Sequence, residues 1–235
     1  MDFFRFPRTP HLFWQGSEPP RGDKLLTADE ADRLLRRPVT VEEKVDGACI
    51  GFSLDPAGRI RVQNRGSFLE PGGAPQFRPL RAWLAPRELA LAEALGPGLV
   101  LFGEWCYARH SVAYDVLPDW FLAYDVYDAA AGRFWNRRRR DAFIHRLGLT
   151  SVPILAEGVF DRQSLRTLCG PSRLGSTPAE GVYLRWDDND WLAARAKLVR
   201  PGWMQEDEGH WSSRPLEPNR LAANREGGVS PGASL

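Results

Sequence analysis

A chain of 235 residues with 43% hydrophobic and 26% charged residues has an ordinary globular composition, and length for one good-sized domain with at most a small appendage. Its net charge of +1 excludes recruitment of a polyanion by the field of the whole molecule, so a nucleic-acid partner would have to be met by a local basic surface. Three widely separated cysteines, Cys49, Cys106 and Cys169, with no CxxC pair and no histidine at ligand spacing, exclude a disulfide framework and a structural zinc site, and fit a reducing, cytoplasmic setting.

In chain order, the N-terminal "MDFFRFPRTPHLFW" breaks its aromatics with Pro and Arg, which argues against a signal peptide, and no stretch reaches the length of a membrane span. Residues 27–37 predict a short helix, with Thr27 as cap, Glu30 three residues on, and acids preceding arginines as the helix dipole favours. The run "TVEEKVDGACIGFSLDPAGRIRVQNRG" predicts a hairpin with arms at 48–54 and 59–65 around the turn "DPAGR", leaving Lys44 in a Gly-containing loop just before it. Residues 77–95 read as helical with a break at Pro86 and a stop at "GPG". Residues 99–107 and 120–128 suit buried strands, 137–148 return to a helical period, and strands follow around 180–186 and 191–199. The mixture predicts an α+β domain of largely antiparallel sheets with flanking helices. Beyond Pro201 the chain is rich in Gly, Ser, Pro, Asn and Arg and too poor in apolar residues for a second domain, so 1–205 is expected to fold and 206–235 to form an extension with a mobile tail.

Only three of the 31 basic residues are lysine: Lys24, Lys44 and Lys197. The rest are arginine, which never offers a lone pair, whereas a lysine amine can lose its proton and attack an electrophile. Taken singly, Lys44 is more simply a leftover surface lysine, and Lys-x-Asp-Gly is a weak pattern. Its context is stronger. In order come "EKVDG" (43–47), "NRG" (64–66), "FGE" (102–104), "FLAYD" (121–125), "EGV" (180–182) and "RAK" (195–197).

This series resembles the motifs of the covalent nucleotidyltransferases, the superfamily of polynucleotide ligases and mRNA capping enzymes, and most of all ATP-dependent RNA ligases of the RNA ligase 2 type. The resemblance runs from about residue 7 to about residue 203. It implies that the folded part is an adenylyltransferase domain in which Lys44 attacks the α-phosphorus of ATP to form lysyl-AMP, AMP then passes to an RNA 5′-phosphate, and a 3′-hydroxyl displaces it. By the same resemblance Glu43 contacts the adenine edge, Asp46 and Gly47 complete the nucleotide-binding motif, and Arg65 holds ribose or the incoming phosphate. Glu104 contacts ribose or orients the lysine, Tyr124 stacks on adenine, and Arg195 with Lys197 grips the α-phosphate, Lys197 with a catalytic part. Glu180, and Glu104 with it, binds Mg2+ or Mn2+. Neighbouring cations, Lys197, Arg195 and a metal ion, are expected to depress the Lys44 pKa.

Plainer readings stand beside these. Asp46-Gly47 is also a turn pair, and Tyr124 also a core aromatic. Glu104 and Glu180 interrupt apolar strands, where an unpaired carboxylate is costly. Asp125 divides evenly between a metal or lysine partner and a structural hydrogen bond. Arg137–Arg140 reads first as a solvated helix face and second as an RNA contact. His11, His110, His145 and His210 share no spacing. The chain departs from the family pattern at Cys49, where an asparagine is usual, and at Arg195, where a lysine is usual. No C-terminal nucleic-acid-binding domain is expected after Trp203, which leaves a minimal ligase, one that needs a protein partner, or one that stops at the adenylated stage. A DNA ligase and a non-catalytic nucleotide- or nucleic-acid-binding module remain the alternatives, with capping less favoured.

Overall fold

The structure is a computed structural model and describes residues 2–16, 24–70, 73–201 and 215–223. Two sheets dominate it. The first runs in the order β10 (Trp191–Val199), β9 (Gly181–Asp188), β1 (Val39–Lys44), β8 (Ile154–Gly158), antiparallel throughout. The second runs β3 (Ile60–Asn64), β2 (Ala48–Leu54), β4 (Leu99–Trp105), β5 (Phe121–Asp128), β6 (Arg133–Phe134), also antiparallel, with β7 (Thr150–Ser151) added parallel to β5. The expected α+β fold with largely antiparallel sheets is what the chain adopts.

Each sheet buries one face under helices. Val41, Leu184 and Leu198 of the first sheet pack on Ala31 and Leu34 of α1 (Ala28–Leu35) and Leu165 of α5 (Arg162–Leu168). Ile50, Phe52, Trp105 and Phe121 of the second pack on Leu80 and Trp83 of α2 (Leu80–Leu84), Leu91 and Leu95 of α3 (Glu88–Leu95), and Phe143 of α4 (Arg137–Arg146). α1 has its full capping box, Thr27 and Glu30 each bonding the other's backbone. Because strand side chains alternate, the residues between these apolar ones point the other way, toward the space between the sheets.

That space is held by charge as well as by rings. Arg140 Nη2 of α4 meets Glu42 Oε1 at 2.7 Å, and Arg185 Nη1 meets Asp125 Oδ1 at 3.0 Å; the Arg140, Arg185, Glu42 and Asp125 side chains are 0–1% exposed. Arg195 Nη1 reaches Asp125 Oδ2 at 3.3 Å, and both Arg140 and Arg185 donate to the Tyr124 carbonyl. The arginine run is therefore not one solvated face. Arg138 is 87% exposed, Arg139 stacks over Trp135, Arg137 pairs with Glu157, and Arg140 is fully interior. No helical period in "RRRR" distinguishes them; only the position of β1 and β5 does.

Two placements differ from expectation. Lys44 is the last residue of β1 and lies in the sheet opposite the hairpin of β2 and β3, not in a loop leading into it. β1 hides its strand signal because Glu42 and Glu43, both buried, interrupt the apolar alternation. The expected mobile tail falls largely outside the described residues, but 215–223 lies against the domain. Asn219, 5% exposed, donates to the Cys106 and Ala108 carbonyls and accepts from the Tyr114 N–H.

Two stability outcomes follow. Arg140→Ala strands a buried carboxylate and should cost about 3–5 kcal/mol in urea unfolding, whereas Arg138→Ala, on the same helix, should stay within about 0.5 kcal/mol. Asn219→Ala leaves buried backbone groups without partners and should cost about 2–3 kcal/mol, measurable as a lowered unfolding midpoint.

Candidate active site

A cavity of about 360 Å³ opens between the sheets. β1 supplies Glu42, Glu43 and Lys44 to its wall, β9 and β10 supply Tyr183 and Lys197, and β2, β4 and β5 supply Cys49, Glu104 and Tyr124. Arg65 reaches it from the loop after β3. That loop is fixed by the Asn64 side chain, whose Oδ1 accepts from the Gly66 and Ser67 N–H groups at 2.7 and 2.9 Å. The six motif segments are thus brought to one site or directly behind it.

Glycine permits the close approaches. A Cβ at Gly47 would lie 2.7 Å from the Trp105 carbonyl and 3.0 Å from Glu104 Cγ, so only glycine lets the loop after Lys44 pass against β4. A Cβ at Gly181 would lie 2.1 Å from the Leu198 carbonyl, which holds β9 tight on β10 just after Glu180.

At the centre Lys44 Nζ donates to Glu180 Oε2, and the two side chains are 25% and 10% exposed. Burial by itself would lower the Lys44 pKa, but Glu180, then Glu104 and Asp46, outweigh it, so the amine is held above its ordinary value. Of the cations expected to depress it, Arg195 is spent on Asp125, and Glu180 beside Nζ acts in the opposite direction. Desolvation raises Glu180 above its ordinary value against the pull of Lys44. It also lifts Glu104 to about 8.

The remaining expected residues separate into those that line the cavity and those that support it. Tyr124 presents its ring, edge-to-face with Phe6 at 5.3 Å, and its hydroxyl donates to Cys49 Sγ at 2.9 Å. Desolvation keeps the Cys49 thiol protonated, with its pKa near 12. Asp46 turns away: Oδ2 accepts from the Ser111 and Val112 N–H groups at 2.8 and 2.9 Å, so its carboxylate anchors a loop and not a nucleotide. Arg195 is not in the cavity wall, because Asp125 and the rings of Phe6 and Phe134, 4.7 and 4.6 Å away, hold it behind that wall. Glu43 lines the cavity, yet its oxygens already accept from the Ser172 hydroxyl and the Arg173 N–H.

The N-terminal segment contributes more than its sequence declares. Phe6, Pro7, Arg8 and Thr9 line the cavity, and the segment is strapped to β10 by hydrogen bonds from Lys197 N to the Pro10 carbonyl and from Leu12 N to the Lys197 carbonyl, both 2.8 Å. Val152 and Tyr183 are further wall residues with no motif signal.

Among the described residues no group of three or more His, Cys, Asp or Glu is arranged to hold a metal alone. Glu180 and Glu104, two enclosed oxygen donors sharing one lysine, fit instead a hard divalent ion that keeps water and phosphate oxygens in its shell.

The profile of the RNA ligase family matches residues 37–199, more than half of the sequence. The chain belongs to the RNA ligase family. Curated proteins give no significant match. Solved structures do: Naegleria gruberi RNA ligase with PPi has 17% identity and a TM-score of 0.58, over 74% of this chain and 54% of that one. A variant of the same ligase with ATP and Mn has 15% identity and a TM-score of 0.56, over 76% and 54%. Another variant, with AMP and Mn, has 16% identity and a TM-score of 0.55, over 74% and 53%. These likenesses show the fold, and this chain spans about half the length of the Naegleria protein.

The raised Glu104 pKa has a stability consequence. The folded state holds this proton more tightly than the unfolded chain, so the stability associated with it is full below 4.5 and is lost as pH rises toward about 8. In metal-free buffer Glu104→Gln should therefore melt increasingly higher than wild type as pH rises across that window, with a constant gap above it; a pH-independent gap would contradict the assignment.

Proposed function

We propose that this RNA ligase family member is an ATP-dependent ligase that carries AMP on Lys44 and joins an RNA 5′-phosphate to a 3′-hydroxyl. The observation that carries this is the enclosure of the Lys44 amine, hydrogen-bonded to Glu180, in a cavity also lined by Glu104, Lys197, Arg65 and the Tyr124 ring. The Naegleria ligase of the same fold has been captured with ATP, AMP, PPi and Mn, which supports nucleoside triphosphate and a divalent ion as co-substrate and cofactor.

The residues act by position and charge. Lys44 Nζ bonds to the α-phosphorus while the bond to the pyrophosphate oxygen breaks. The ammonium must first give up a proton, and the carboxylate within hydrogen-bond reach is Glu180. Lys197 and Arg65 offset charge on the phosphates, and Tyr124 offers a face for the base. A divalent ion held by Glu180 and Glu104 would neutralise phosphate charge at the same point. The reaction then continues by transfer of AMP to the RNA end. A cytoplasmic, reducing location is part of this proposal, as is a protein partner that helps hold RNA if the chain does not seal by itself.

Wild-type protein incubated with α-labelled ATP and Mg2+ or Mn2+ should retain the label through denaturation, and Lys44→Arg should reduce it to background because guanidinium has no lone pair to offer. Chased with 5′-phosphorylated strands, the labelled protein should pass AMP to RNA ends. Sealing without need of a 3′ ribonucleotide would point to a DNA ligase, and absence of label across metals and pH to a binding module.

A further inference from the structure

Tyr114 is outside the cavity wall and unused by the chemistry above, yet it holds the turn that follows the nucleophile. Lys44 ends β1 in one sheet and Ala48 begins β2 in the other, so residues 45–47 alone carry the chain across. That crossing leans on the segment 106–117, between β4 and β5. Val45, 6% exposed, packs in one apolar cluster with Val112, Tyr114 and Leu117. The Asp46 N–H donates to the Tyr114 hydroxyl at 2.7 Å, and the Asp46 carboxylate accepts from the Ser111 and Val112 N–H groups. So short a link has few rotations with which to compensate, and where these bonds put Asp46 decides where Lys44 Nζ stands against Glu180.

The segment 106–117 is itself fixed from far along the chain. The Glu217 and Arg220 carbonyls accept from the Arg109 and Leu117 N–H groups, and the Asn219 and Arg220 N–H groups donate to the Tyr107 and Tyr114 carbonyls. Asn219 Oδ1 accepts from the Tyr114 N–H at 2.9 Å. Tyr114, 2% exposed, is thus held at its backbone by the C-terminal segment and holds the link after Lys44 with its hydroxyl.

We propose that Tyr114 is a positioning residue: its hydroxyl, supported by Asn219, sets how the Lys44 amine meets Glu180 and with it the rate at which that amine reacts. The rate half of this rests on the ligase reading; the placement of the amine does not. Tyr114→Phe keeps the ring in the Val45 cluster and leaves the Asp46 N–H without its acceptor, which frees the link to shift.

The test uses the full chain and two readouts. In single turnover with α-labelled ATP and Mn2+, Tyr114→Phe should slow labelling about 10- to 100-fold, the scale of a misplaced reacting group, while the final labelled fraction and the ATP concentration giving half the maximal rate stay as in wild type. A role in stability alone would lower the labelled fraction and leave the rate constant, and that result overturns the proposal. The second readout needs no ATP. With three lysines in the chain, lysine-labelled carbon NMR of the ligand-free protein reads each side chain separately. The Lys44 Cε signal of Tyr114→Phe should move toward that of the exposed Lys24 as the contact with Glu180 loosens. An unmoved signal overturns the proposal. If wild type takes no label, the ligase reading fails and the NMR signal alone decides the placement. If Tyr114→Phe does not fold, Asn219→Ala, which reaches the same hydroxyl from the other side, is read in the same two ways with the same expected changes.

Discussion

The pairing of the Lys44 amine with the Glu180 carboxylate is the constraint around which the rest is arranged. It joins the end of β1 to the start of β9, two strands already in register at Lys44 and Gly181. Glu180, the strongest influence against desolvation, holds the amine above its ordinary pKa and so keeps it protonated at rest. The resting site is thus held in a safe state. An anionic triphosphate would hold the proton more tightly still, so only a cation that comes with it would ease the loss of that proton.

Such a cluster can persist only if the two sheets cannot slide. The Arg140–Glu42 and Arg185–Asp125 pairs fix them, and their interior placement makes each carbonyl and carboxylate contact specific in direction. A buried ion pair is weak evidence for net stability, because desolvation offsets most of its attraction. What this network supplies is alignment: it holds Tyr124 of one sheet against Glu42 of the other. On the far side, Asn219 of the C-terminal segment fixes Tyr114, whose hydroxyl accepts from the Asp46 N–H at 2.7 Å, so a segment far along the chain steadies the loop after Lys44.

Local signals in the sequence were enough for the capped helix at Thr27, the hairpin of β2 and β3, and the strands of β4, β5, β9 and β10, because each has its own period or turn chemistry. That Lys44, Glu104 and Glu180 would come together was legible because scarce or ill-fitting residue types stood in a recognisable order, and the fold does gather them. Arg195 and Asp46 sit where spacing did not put them, because their partners, Asp125 and the Ser111–Val112 backbone, are distant in sequence. The same holds for Arg140, one of four identical letters, and for Asn219, whose polar surroundings in the sequence resemble a linker. Residues whose role is fixed by a long-range partner carry no local mark of it.

Attachment of AMP to Lys44 is the step of the proposed chemistry most directly open to measurement. Digestion of wild-type protein after incubation with ATP and Mn2+, followed by mass spectrometry under conditions that preserve the acid-labile N–P bond, should find one AMP on the peptide containing Lys44 and none on those containing Lys24 or Lys197. Adenylate on either of the other lysines, or on none, would contradict it.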